Sequence, residues 1–116
     1  MSKPEREFSP LNNVEWRPVP GYPSGATEKI LSADDEEVYT RLLRFEPGFK
    51  STQTLSHVFW EEVYILEGEL VDLRTDAVYT AGMYACRPPG MKHGPYASPK
   101  GFLGFEVHYY GRKENR

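Results

Sequence analysis

The chain has 116 residues, a formal net charge of −3, three histidines and one cysteine, a size that suits one domain able to bury roughly two thirds of its unfolded surface. Hydrophobic residues make up 39%, aromatics 14%, and mean hydropathy is −0.62, as expected of a globular protein whose apolar surface is gathered in strands or a pocket. Basic residues are scattered apart from the terminal GRKENR, no apolar run could span a bilayer, and MSKPEREFSP lacks the apolar stretch of a signal peptide, so neither nucleic acid nor membrane is an expected partner and the cytoplasm is the expected compartment.

Residues 1–25 carry Pro4, Pro10, Pro18, Pro20 and Pro23 with Gly21 and Gly25, which predicts an extended, irregular arm wrapping the domain or a partner subunit. The β domain is expected over residues 26–112. ATEKIL reads as a short strand, SADDEE as a charged loop, and VYTRLLRF as a strand stopped by EPG. EEVYIL follows, with Glu67-Gly68 expected to turn the chain back as ELVDL. RTDA turns into VYT, Ala81-Gly82 turns into MYACR, and FLGFEVHYY alternates Leu103, Phe105, Val107 and Tyr109 against Phe102, Glu106, His108 and Tyr110. Short strands with Gly and Pro at the corners and no amphipathic helix imply a sandwich or barrel. Cys86, alone and within a strand, is expected to be a small buried thiol.

Two segments carry chemistry. In GMYACRPPGMKHGPY a glycine-proline corner precedes His93, and in SHVFWEEVYILEGE His57 is followed by Glu61 and Glu62 at the head of a strand. A rigid corner fixes the direction of an imidazole, histidine is the commonest metal ligand, and two such clusters on neighbouring strands can converge.

Together these segments resemble the two sequence motifs of the cupin superfamily. Gly48, His57, Glu61 and Gly68 match the first, with three residues between His57 and Glu61 and six between Glu61 and Gly68; this spacing selects Glu61 over Glu62 as the ligand-like carboxylate. Gly82, Pro88, Gly90 and His93 match the second without a gap. Two positions depart: Leu55 stands where the first motif has its first histidine, and Ala97 where the second has asparagine. The stretch from Gly48 to Leu55 is one residue long against the motif, so a bulge would turn Gln53 or Thr54 inward as a weak replacement.

The resemblance implies an all-β, single-domain, cupin-type jelly-roll β-barrel with a divalent metal held at its mouth by His57, Glu61 and His93, and Gln53 as a weaker fourth ligand. Two histidines and one carboxylate form the ligand set of non-haem iron(II) oxygenases, although zinc, manganese and nickel accept the same donors. Within the superfamily the segments are most similar to small cupins related to the metal-binding cupin domain of zinc-dependent anti-sigma factors, a branch that includes dioxygenases acting on small ketones and phenols. That resemblance implies a small-molecule substrate and a homodimer formed by exchange of the N-terminal arm, with Trp16 and Tyr22 crossing to the partner. Phe59, Trp60, Tyr64, Tyr84 and Phe102 are the expected pocket walls, with Glu62 and Tyr96 as proton carriers and Arg87 as the group meeting a substrate carboxylate or enolate. His108 is expected at the surface or behind the ligands. The alternatives are a redox-inert metal-dependent isomerase or lyase, and a non-catalytic ligand-binding or sensing cupin.

Overall fold

The computed structural model describes residues 3–34 and 38–111. Parts of the SADDEE loop and of the terminal GRKENR lie outside the described residues. The elements are β1 (Arg17–Pro18), β2 (Ala26–Ala33), β3 (Tyr39–Phe45), β4 (Phe49–Lys50), β5 (Trp60–Asp72), β6 (Val78–Thr80), β7 (Tyr84–Arg87), β8 (Tyr96–Ser98) and β9 (Phe102–Tyr109). The architecture is all-β: an antiparallel sheet ordered β1-β2-β3-β9-β5-β8-β4, with β6 and β7 also pairing with β5, curls into a jelly-roll. Among the described residues, no helix is long and apolar enough to cross a membrane.

β5 organises the molecule. Its first half pairs with β9 and β7, its second half with β6 and β8, and the register shifts between Ile65 and Glu67. The turn expected at Glu67-Gly68 does not form; the chain continues through a bulge that bends one strand across two sheets. Gly68 has another task there. With φ at +84°, a Cβ on it would lie 2.0 Å from the Gly101 carbonyl oxygen, so only glycine admits the approach of β5 to the start of β9.

Strand alternation divides the barrel interior into two zones. At one end Ala26, Leu43, Phe45, Phe49, Ile65 and Phe102 form the apolar core, with the Phe45 ring stacked on Phe49 at 4.1 Å and tilted against Phe102 at 5.2 Å. Further along the same inward faces the residues become Glu28, Arg41, Glu61, Glu106 and His108, all buried. For β9 this inverts the hydrophobic reading of the sequence: Phe102, Gly104, Glu106 and His108 point inward, while Phe105 is exposed. Leu42, Phe105, Tyr64 and Tyr84 lie in one cross-strand row on the outside. Cys86, expected to be buried, is exposed on β7.

The later part of the arm packs on its own domain, while residues 4–10 are exposed. Trp16 packs beneath Arg44 and Lys29, Val19 enters the core and Tyr22 packs against it.

Because the Gly68 contact is with backbone, Gly68→Ala should lower unfolding stability by on the order of 3 kcal/mol. Gly82→Ala, where φ is +91° but no atom lies within 4 Å, should lose only about 1–2 kcal/mol. Urea unfolding of the two variants measures the difference; equal losses would remove the role assigned to the Gly68–Gly101 approach.

Candidate metal centre

Backbone hydrogen bonds bring the two motifs together. Leu55 N–H donates to the His93 carbonyl at 2.7 Å and His93 N–H returns the bond to Leu55 at 2.9 Å, while Gly90 N–H donates to the His57 carbonyl at 2.8 Å. The glycine-proline corner is therefore tied to the first motif on both sides of His57. Four residues after His57, β5 places Glu61 inward and Glu62 outward, as alternation requires.

His57 Nε2 lies 3.7 Å from Glu61 Oε2, and His93 Nε2 lies 3.9 Å from Glu61 Oε1. The two imidazole centroids are 5.0 Å apart, and one donor atom from each of these three residues falls within 4.8 Å of the other two. His93 Nδ1 is 3.4 Å from the Met91 carbonyl oxygen, a contact that favours the tautomer with Nδ1–H and leaves Nε2 as the metal-facing donor. Burial lowers the pKa of both His57 and His93, which also feel His108 and Arg87 respectively. Both are thus kept in the neutral form that a metal ligand must have. Two neutral imidazoles and one carboxylate fit a divalent first-row metal.

Glu61 sits on β5 directly between two cross-strand neighbours, His108 on β9 and Arg87 on β7. Arg87 Nη1 donates to Oε1 at 2.5 Å, and His108 Nε2 is 2.9 Å from Oε2. Burial would raise the Glu61 pKa, but the hydrogen bond from His108 and the charge of Arg87 outweigh it, and the carboxyl is held well below its usual range. His108 also lies 3.2 Å from Glu106 Oε1. Glu106 in turn accepts from Arg41 Nε at 2.8 Å, and Arg41 Nη1 donates to Glu28 at 2.7 Å. Burial opposes the charged form of His108, yet its hydrogen bonds to Glu106 and Glu61 raise its pKa. His108 is therefore not a surface group but stands buried behind Glu61, the second of the two places expected for it. The i, i+2 pair Glu106 and His108 on one strand face was its sequence signal.

The remaining residues singled out in the sequence separate. Tyr96 is half-buried with its hydroxyl accepting from Arg87 Nη2 at 2.7 Å; Arg87 thus spans Glu61 and Tyr96 in a buried ion pair. Glu62 faces outward, where the hydroxyls of Tyr84 and Tyr109 donate to it; the strand period that turns Glu61 inward removes it from the centre. Gln53 is exposed and lines a separate surface cavity with Tyr22 and Ser51, so the longer Gly48–Leu55 segment does not turn it inward. Phe59 is buried, its ring 4.6 Å from His57 and 4.7 Å from His108. Phe102 belongs to the core, Trp60 stacks on Tyr109, and Tyr64 is on the exposed row. Tyr84 is 58% exposed yet reaches the rim of an apolar-walled cavity.

That cavity has a volume of about 300 Å³ and is walled by Val63, Ile65, Leu70 and Met83, with Arg87 and His93 among its polar groups. A smaller space of about 30 Å³, bounded by Leu55, Glu61, Arg87 and His93, adjoins the same two polar residues. A ligand in the larger cavity would therefore meet the candidate centre at His93.

The fold and this arrangement are those of a cupin. Residues 5–109 match the family described as the ChrR cupin-like domain, and the chain belongs to that family. Among solved structures, it is similar to an RmlC-like cupin from Shewanella frigidimarina, at 24% identity and TM-score 0.73, with all of both chains covered. It is also similar to an acetylacetone dioxygenase from Acinetobacter johnsonii, at 14% identity and TM-score 0.72 over 97% of this chain and 83% of that one. The Rhodobacter sphaeroides complex of SigE with the anti-sigma ChrR matches at 25% identity and TM-score 0.65, over 86% of this chain and 52% of that one. Comparison with curated proteins gave no match.

The opposite orientations of the two adjacent glutamates give a direct test. Glu61→Gln should weaken zinc or cobalt uptake by about 10–100-fold, the scale seen when groups around a metal are lost, while Glu62→Gln leaves it unchanged. Isothermal titration of each folded variant makes the comparison, and equal effects would contradict the assignment.

Proposed function

We propose that this cupin holds one divalent metal through His57, Glu61 and His93 and acts on a small carbonyl or phenolic substrate that ligates the metal, as an enzyme of the non-haem iron(II) dioxygenase type. The observation that carries the reading is the approach of two neutral imidazoles to one buried carboxylate, beside a cavity of about 300 Å³ that shares His93 and Arg87. Iron(II) at such a set supplies open coordination positions for substrate and dioxygen. The chain's own residues bind and orient. Arg87 fixes Glu61 through Oε1 and the Tyr96 hydroxyl through its other nitrogen, and Tyr96 lines the cavity, where it would carry the proton of an enolisable ligand. Val63, Ile65, Leu70 and Met83 exclude water around the ligand's apolar body. Manganese, nickel or zinc would accept the same donors, and zinc or nickel would direct the site to Lewis-acid isomerase or lyase chemistry.

We also propose a homodimer, resting on the outward row in which half-buried Leu42 is followed by exposed Phe105, Tyr64 and Tyr84 rather than on Trp16 and Tyr22 of the arm, which pack on their own domain. A contiguous apolar row of this kind suits a second copy of the same face. Light scattering should give a dimer mass that Tyr64→Lys reduces to that of a monomer; a wild-type monomer at micromolar concentration would end this reading.

The metal reading is tested first by elemental analysis of protein purified without an affinity tag, beside His93→Ala. Near-stoichiometric iron that the variant loses, with oxygen uptake on adding 2,4-pentanedione, a hydroxyketone or a catechol, is the expected result. The likeness to an acetylacetone dioxygenase sets the order of that screen. Turnover supported by zinc without oxygen would move the assignment to an isomerase or lyase. A folded wild type that takes up no metal even after anaerobic reconstitution would leave a ligand-binding or sensing module.

A further inference from the structure

We infer that His108 is a fourth protein ligand of the metal, supplying from β9 the imidazole that Leu55 fails to supply beside His93. The inference rests on the metal-binding part of the reading above and adds a residue that neither motif contains.

Three observations lead to it. Leu55 occupies the place next to His93, bonded to it through both backbone groups, and its side chain helps bound the small space beside Glu61. No donor atom can come from that side. On the other side of Glu61, the β5–β9 register sets His108 directly opposite, and its Nε2 lies 2.9 Å from Oε2. The same oxygen is the one that His57 Nε2 faces at 3.7 Å. Donor atoms around one first-row metal at about 2.1 Å stand roughly 3 Å apart. Of the three imidazoles near Glu61, at 2.9, 3.7 and 3.9 Å, His108 is thus the one already at ligand spacing from that carboxylate. His57, Glu61 and His93 form one donor group and Glu61, Glu106 and His108 another, so Glu61 is the residue through which both sets would share one ion, with the His57 and His108 rings, now 6.2 Å apart between centroids, drawn together around it.

The second observation is electrostatic. Three buried carboxylates gather at this end of the barrel: Glu28 pairs with Arg41 and Arg17, Glu106 with Arg41, and Glu61 with Arg87. Glu61 and Glu106 also converge on His108 Nε2, and that concentration of acceptor oxygens favours a cation beside Glu61 and His108. Third, His108 Nε2 faces two carboxylate oxygens at once, at 2.9 and 3.2 Å, and a single N–H cannot serve both well. Its Nδ1 has no partner, so only what lies at Nε2 fixes the ring apart from stacking on Phe59 at 4.7 Å and Tyr39 at 4.4 Å. Glu106 itself is committed to Arg41 and is not counted as a ligand.

X-ray absorption of the zinc-loaded full chain counts imidazoles directly, without a substitution that threatens folding. Three imidazoles in the wild type are expected, falling to two in His108→Gln together with a loss of zinc affinity of at least about tenfold. Circular dichroism checks that the variant is folded. Two imidazoles in the wild type would overturn the inference. So would a His108→Gln variant whose affinity falls while the imidazole count stays the same, because His108 then only orients Glu61. Failure of the wild type to bind zinc would sink the metal-binding reading itself, and this inference with it; bound metal with two imidazoles sinks the inference alone.

Discussion

The structure depends on how a carboxylate is kept charged inside a β-barrel. Glu61 is on the strand shared by both sheets, and its inward position would be untenable without cross-strand partners on each side. Antiparallel pairing provides them: His108 opposite on β9 and Arg87 opposite on β7. A register slip of one residue on either neighbour would turn that partner outward and leave Glu61 unpaired. The same register places Arg41 on β3 opposite Glu106 on β9, two residues along from the His108–Glu61–Arg87 row, so that the two ion-paired sets meet at His108.

This explains why the interior is divided along the strands rather than between them. The apolar end, around Phe45, Phe49 and Phe102, supplies the burial that drives folding. The polar end is stable only as a complete network, because a half-satisfied set of buried charges is worse than an apolar core. With so much of the inward surface given to ionic residues, several large apolar side chains are left on the outside. Tyr64, Tyr84 and Phe105 are exposed for that reason and not because strand alternation has failed.

Much of this was legible in the residues. The strand segments and the corner before His93 follow from turn chemistry and the period of two, while the preference for Glu61 over Glu62 came from the spacing of the cupin motif that the segment resembles. What was not legible arose where tertiary pairing overrides local pattern. Glu67-Gly68 has the composition of a turn, yet its glycine serves a contact with Gly101, some thirty residues away in sequence. β9 has its more apolar face outward, so the sequence left His108 between the surface and a place behind the ligands, and only the charges of β3 and β5 set beside it decide for the interior. Gln53 had only an extra residue in its favour, and the bridge between Leu55 and His93 absorbs that length without turning it inward.

The substitution at Leu55 then has a chemical meaning that depends on β9. With His57, Glu61 and His93 alone, a six-coordinate ion keeps roughly three positions open, enough for a substrate attached through two oxygens and a further small molecule beside it. With His108 added, roughly two remain. A substrate attached through a single enolate or phenolate oxygen could then still share the ion with dioxygen, whereas one attached through two would fill it and favour chemistry needing no co-substrate. The apolar walls of the adjoining cavity, Val63, Ile65, Leu70 and Met83, grip a ligand's body without adding polar contacts. If the site holds a metal as proposed, the choice between those two kinds of substrate would fall on the ligand count there, and that count would depend on which side chain the β5–β9 register brings opposite Glu61.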